Sequence, residues 1–251
     1  MLQDRLSFLV KWGVILILGF VPLVSWHGVF FPYTAIKTLV FYALTELVFA
    51  LWLVLAATHS ANRPRLTPVT VAVVVFLLCV GISSVVGVNI EKSMWSDLER
   101  MFGFLTWLHV GVFVIMLTSV VRREREWNML LQSTIVVAAL VAAIGAWQWV
   151  TTDDLSISTI GNAAFLSSYL VPVMFLTCMM MFRDKRFTAS ASLYGGALLL
   201  FLLALIGTQA RAGVVGLAGG AGIALVLFLF WGDSNGTTLS VSHRYLKKIA
   251  A

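Results

Sequence analysis

Apolar residues gather in long runs separated by short polar stretches. A helix needs roughly 17 to 25 such residues to cross a hydrocarbon core about 30 Å thick. Eight runs of that kind can be drawn, over approximately residues 10 to 28, 36 to 57, 69 to 87, 104 to 121, 128 to 150, 163 to 182, 189 to 207 and 212 to 231. The pattern predicts an all-α fold, a polytopic transmembrane helix bundle of about eight spans. The connections are short and none has the composition of a soluble domain, so residues 1–251 read as one transmembrane helical domain without internal repeats.

Composition agrees. Hydrophobic residues make up 60% of the chain and charged residues 11%, with a mean hydropathy of +0.97, far from the balance of a water-soluble domain. A net charge of +6 would suggest nucleic acid in a soluble protein. Here the basic residues sit beside apolar runs, where orientation in an anionic membrane accounts for them, and no nucleic-acid partner is expected. Cys79 and Cys178 lie inside apolar runs and indicate neither a disulfide framework nor a zinc site. Most Trp residues fall near predicted span ends, as interfacial aromatic belts do.

Charge placement then sets the topology. Arg5 and Lys11, Arg63 and Arg65, Arg122, Arg123 and Arg125, Arg183, Lys185 and Arg186, and Arg244, Lys247 and Lys248 mark alternate ends of successive runs. By the positive-inside rule those ends, and both termini, are cytoplasmic. Arg5 and Lys11 ahead of an apolar run resemble a signal peptide. No small-residue cleavage site follows Ser25 and Trp26, however, so the segment reads as an uncleaved first helix.

Four cations, Lys37, Lys92, Arg100 and Arg211, are left on the outer side, where topology does not explain them. Arg100 lies in the loop SMWSDLERMFG (Ser93 to Gly103) beside Glu99, just before the fourth run. A cation at a helix N-terminus opposes the helix dipole unless an anion is also present. Arg211 lies in TQARAG (Thr208 to Gly213) at the start of the last run, where the plainer alternative is a topological stop. Asn162 opens the sixth run in IGNAAFLSSYLVP, as an N-cap or as a ligand contact. All three fall at outer N-termini of even-numbered runs, and such ends converging on one cavity would hold a phosphate or diphosphate. Lys37, Ser96 and Thr208 are further candidates for binding substrate.

Elsewhere, Glu46 is an isolated carboxylate inside the second run, which Thr45 or a neighbouring helix could satisfy. Gly213, Gly216, Gly219 and Gly222, with Gly216 and Gly220 as a GxxxG, predict a close-packing helix face. Asp153 and Asp154 read as a solvated loop. Walker A, H-E-x-x-H and nucleophile-elbow motifs are absent and the four histidines lack metal-ligand spacing, so neither metal nor cofactor is expected.

The run ELVFALW (Glu46 to Trp52), the loop SMWSDLERMFG, the opening IGNAAFLSSYLVP and the step TQARAG follow the order and spacing of the bacterial O-antigen ligase and polymerase family, which the chain resembles over nearly its whole length. That resemblance implies a metal-independent glycosyltransferase of the cell envelope, a multi-pass protein of the bacterial cytoplasmic membrane. It would move a glycan from a polyprenyl diphosphate carrier to an acceptor glycolipid, glycan or protein on the outer face, as in lipopolysaccharide biosynthesis. It further implies that Arg100 and Arg211 hold the diphosphate and that Glu99 orients Arg100, giving Arg211, Arg100 and Glu99 catalytic roles. Family members continue into more spans and a large outer loop with a candidate histidine base. The chain therefore reads as the N-terminal portion, truncated relative to the family and incomplete for catalysis. The competing readings are a transporter or flippase of a lipid-linked sugar, which Glu46 favours slightly, and a non-catalytic membrane subunit packing through its glycines.

Overall fold

The computed structural model describes residues 2–152, 154–183 and 187–231. Asp153, Lys185 and Arg186, the polar segment from Gly232 and the cations Arg244, Lys247 and Lys248 lie outside the described residues. Among the described residues the chain is helical, without strands. Its helices are α1 (Leu2–Phe20), α2 (Thr34–Thr58), α3 (Pro68–Val86), α4 (Ile90–Trp95), α5 (Phe104–Val120), α6 (Glu124–Thr152), α7 (Ala163–Arg183), α8 (Phe187–Thr208) and α9 (Arg211–Trp231). Each predicted run has its helix. Six segments are long and apolar enough to cross a membrane, Gln3–Leu23, Thr34–Thr58, Pro68–Val86, Glu124–Thr152, Ala163–Arg183 and Ala191–Thr208. Phe104–Val120 and Arg211–Leu227 are shorter apolar helices.

Two features differ from the expectation. The first helix begins at Leu2 and gives way at Val21–Leu23 to a 3-10 turn containing Pro22, so it lies toward the N-terminus of the predicted run. Lys11 is thus inside a helix rather than ahead of one, and its ammonium lies 2.6 Å from a carboxylate oxygen of Glu126 on α6. A charge so paired is tolerated where an unpaired one would end the span. The second is α4, a short helix capped by Asn89, whose side chain accepts the Lys92 N–H at 2.9 Å.

Small residues let the helices approach closely. On α6, Ala138, Ala142 and Ala146 share one face at helical spacing and are buried with Leu166 and Leu170 of α7 and Phe201 and Ala204 of α8. A second core joins Val10, Val14 and Ile17 of α1 to Val48, Trp52 and Leu55 of α2, Phe113 and Met116 of α5 and Leu130 of α6. On α9 a Cβ at Gly213 would stand 2.7 Å from Ser167 Cβ, and one at Gly220 would stand 2.6 Å from the Phe175 ring, while Gly216 faces Val171 at 3.9 Å. Gly219 and Gly222 meet nothing within 4 Å. The packing face therefore follows 213, 216 and 220 rather than strict three-residue spacing, which drifts around a helix of 3.6 residues per turn.

Many large apolar side chains remain exposed, among them Val71, Phe76, Leu78 and Ile82 on α3 and Val214, Val215 and Ile223 on α9. Apolar surface on that scale suits lipid and not water. The chain has the helices of a multi-pass membrane protein.

Cations cluster at one end of the bundle. Arg122 donates from Nε to the Ser119 carbonyl at 2.7 Å and from Nη2 to the Arg63 carbonyl at 3.1 Å, and Arg183 pairs with Glu124. Burial, then the nearby Arg65 charge, lowers the Arg122 pKa from its ordinary value. Helices α2 and α7 each run from the opposite end toward this one.

Candidate functional site

At that opposite end, three connections meet. The segment after α4 turns at Ser96 (φ 65°), where the Ser96 N–H bonds the Lys92 carbonyl at 2.8 Å, and again at Met101 (φ 52°), whose N–H bonds the Asp97 carbonyl at 2.8 Å. Met101 is buried and its carbonyl accepts a hydrogen bond from Thr106 of α5. Gly103 closes the turn, since a Cβ there would stand 2.3 Å from the Met94 carbonyl oxygen. This fold leaves Glu99 and Arg100 exposed at its tip.

The connection before α7 is tied down on several sides. Ser158 donates its hydroxyl to the Val141 carbonyl (2.6 Å) and its N–H to Gln148 (2.7 Å). Thr159 bonds the Pro22 carbonyl (2.8 Å), and the Ser156 N–H bonds the Gly207 carbonyl (2.9 Å). The segment ends at Gly161 with φ +83°, a left-handed conformation that suits glycine. A Cβ there would also lie 2.1 Å from the Tyr33 ring, so the bare backbone lets Tyr33 lie against this turn.

Between these segments opens a cavity of about 540 Å³, lined by Phe31, Pro32, Tyr33, Thr34, Glu99, Arg100, Phe102, Gly161, Asn162 and Phe165. Phe102 and Phe165 meet edge to face at 6.3 Å and join two of the walls. Two helix N-termini adjoin the cavity. That of α2 begins at Thr34 with no side-chain cap, and that of α7 is capped by Asn162, whose Oδ1 accepts the Ala164 and Phe165 N–H groups at 2.9 and 3.2 Å. The amide NH₂ of Asn162 is then the donor left for a ligand.

Of the residues expected at a site, Glu99, Arg100 and Asn162 line this cavity, and the others do not. The Lys37 ammonium, one turn inside α2, bonds the Val24 carbonyl. Ser96 serves the turn. Thr208 is buried, donating to the Leu205 carbonyl at 2.7 Å and accepting the Ala210 N–H at 3.2 Å, so its hydroxyl ends α8. Arg211 is exposed at the start of α9. The fit of Gly213 against Ser167 puts it at the same end of α7 as Asn162, outside the cavity lining. No ion pair joins Glu99 to Arg100 among the described residues; the neighbouring pair is Lys92 with Asp97 at 3.4 Å.

The aromatic walls leave no signal in the sequence, because Tyr33 and Gly161 meet across more than a hundred residues and neither stands in a recognisable motif. Glu46 is not isolated either. Its partner is His109 on α5, at 3.1 Å, while the Thr45 hydroxyl is buried without a hydrogen-bond partner among the described residues. Among the described residues no three His, Cys, Asp or Glu side chains gather closely enough to hold a metal ion.

Comparison with protein-family models, curated proteins and solved structures finds no match. The cavity's own groups set its chemistry. A guanidinium with no carboxylate bound to it among the described residues, a helix start without a side-chain cap and an amide donor favour an anion with several oxygens. The aromatic surfaces offer flat apolar walls to the rest of such a ligand.

Proposed function

We propose that the Arg100 cavity holds the diphosphate of a polyprenyl diphosphate-linked glycan, and that the chain is an O-antigen ligase-like glycan transferase. In this reading eight spans alternate across the bacterial cytoplasmic membrane with both termini cytoplasmic, and the cavity faces the extracytoplasmic side. Convergence of the connections before α2, α5 and α7 on one cavity supports the alternation, and the cluster of Arg63, Arg122 and Arg183 at the far end supports the orientation. The observation that carries the function is Arg100, whose guanidinium lines that cavity without an ion-pair partner among the described residues.

Charge that develops on a departing diphosphate is stabilised by cations and helix starts already aimed at it. Arg100 takes that role, with the α2 N-terminus and Asn162 beside it; Glu99 sets the local field and does not clamp Arg100. Arg211 guards the same end at the start of α9, a step removed from the leaving group. The glycan passes to an acceptor glycolipid, glycan or protein.

A charge-assisted hydrogen bond is worth about 1.5 to 3 kcal/mol, so Arg100→Gln weakens binding of a polyprenyl diphosphate glycan roughly 10- to 100-fold. Native mass spectrometry of the purified protein with that lipid measures it. Equal binding by the variant removes Arg100 from the site.

One observation favours a second reading, a transporter or flippase. The Glu46–His109 pair sits midway along α2, where coupling ions bind in such proteins. Protein-dependent transfer of a lipid-linked sugar between the leaflets of a liposome would select it over the transferase.

A further inference from the structure

The Glu46–His109 pair does not line the cavity and takes no part in the glycan transfer proposed above. Glu46 is twelve residues into the 25-residue helix α2, about 18 Å from its start at 1.5 Å per residue. Its carboxyl reaches His109 Nε2 at 3.1 Å. The imidazole is held on its other sides. Nδ1 bonds the Leu105 carbonyl at 2.7 Å, and the ring stacks on Tyr42 with centroids 4.0 Å apart and planes 14° from parallel. Tyr42 is itself fixed through its hydroxyl to Thr106 at 2.5 Å.

A carbonyl can only accept, so Nδ1 carries hydrogen and Nε2 is the nitrogen that gains or loses a proton toward Glu46. The side chain of His109 is only 16% exposed, whereas that of Glu46 is 69% exposed on the outside of the bundle. In hydrocarbon a lone carboxylate is costly, and so is a lone imidazolium. The pair is neutral overall when it holds one proton between Oε1 and Nε2, either as carboxylic acid with imidazole or as carboxylate with imidazolium.

Other charged groups on the packed elements are engaged elsewhere or distant. On α1, Lys11 is bound to Glu126, and Asp4 and Arg5 lie in its first turn. On α2, Lys37 is bound to Val24. Helix α3 carries no charged residue, only Cys79, and on α4 Lys92 pairs with Asp97 beside Glu91.

We propose that Glu46 and His109 form a proton-binding site within the membrane, holding one exchangeable proton between carboxyl and imidazole and open to the lipid side through Glu46. This site is independent of the glycan-transfer reading. Dicyclohexylcarbodiimide, an apolar reagent, tests it on the protein in liposomes. The carboxyl proton passes to a carbodiimide nitrogen, the carboxylate oxygen adds to the carbodiimide carbon to give an O-acylisourea, and acyl transfer from oxygen to nitrogen leaves a stable N-acylurea. Peptide mass spectrometry locates the adduct.

The expected result is an adduct at Glu46 that is absent in Glu46→Gln and that declines as the buffer is made alkaline. His109→Gln removes the base that competes for the proton, so labelling of Glu46 rises at the same pH. An infrared carboxyl band present in wild type and lost in Glu46→Gln gives a second readout should His109→Gln fail to fold. Absence of both adduct and band at every pH between about 5 and 8, or equal labelling in a folded His109→Gln, overturns the proposal.

Discussion

Gly161 is the residue on which the cavity's shape turns. It combines a left-handed backbone with direct contact to the Tyr33 ring, so Gly161→Ala meets both a conformational penalty and a collision. The backbone strain alone costs on the order of 1 to 3 kcal/mol. Thermal unfolding in detergent should show a lower midpoint for Gly161→Ala. Adding Tyr33→Ala should restore part of the loss, because it removes the ring and leaves the contact with the residue 33 Cβ at 2.5 Å and the backbone strain; full additivity would show that the ring contact is unimportant. Residues that stand at helix starts were legible in the sequence, and so Glu99, Arg100 and Asn162 were found together. Contacts made across the bundle were not. Glu46 and His109 lie 63 residues apart on different helices, and no spacing rule joins them. Thr208 and Lys37 looked available because a sequence does not show that a neighbouring backbone already binds them.

Helix by helix, the apolar runs located every long element, since crossing length and hydropathy are local properties. The first run was displaced because Lys11 reads as a boundary when its partner Glu126 is out of sight in the sequence. The glycines of α9 were expected to form one face, and the structure divides them. Gly213 is seated against Ser167 Cβ and a Leu205 methyl, whereas Gly219 faces open space. Overpacking a close contact costs about 1 to 3 kcal/mol, so Gly213→Val should lower the unfolding midpoint and Gly219→Val should leave it nearly unchanged. Equal sensitivity at both positions would show that α9 packs through a different face.

For the whole molecule, the division between a cation-rich end and a cavity-bearing end ties topology to chemistry. In the proposed orientation the cation-rich end faces the cytoplasm, and at the other end Lys37 and Lys92 are engaged by Val24 and Asp97 while Arg100 lines the cavity without an ion-pair partner among the described residues. The most direct measurement is photo-crosslinking of a polyprenyl diphosphate probe, carrying its photoreactive group next to the diphosphate, to the protein in sealed vesicles. Crosslinks should fall on the segments 31–34, 99–102 and 161–165, only when the extracytoplasmic face is turned toward the probe. Crosslinks concentrated around Arg63, Arg65 and Arg122, or labelling independent of vesicle orientation, would contradict the account.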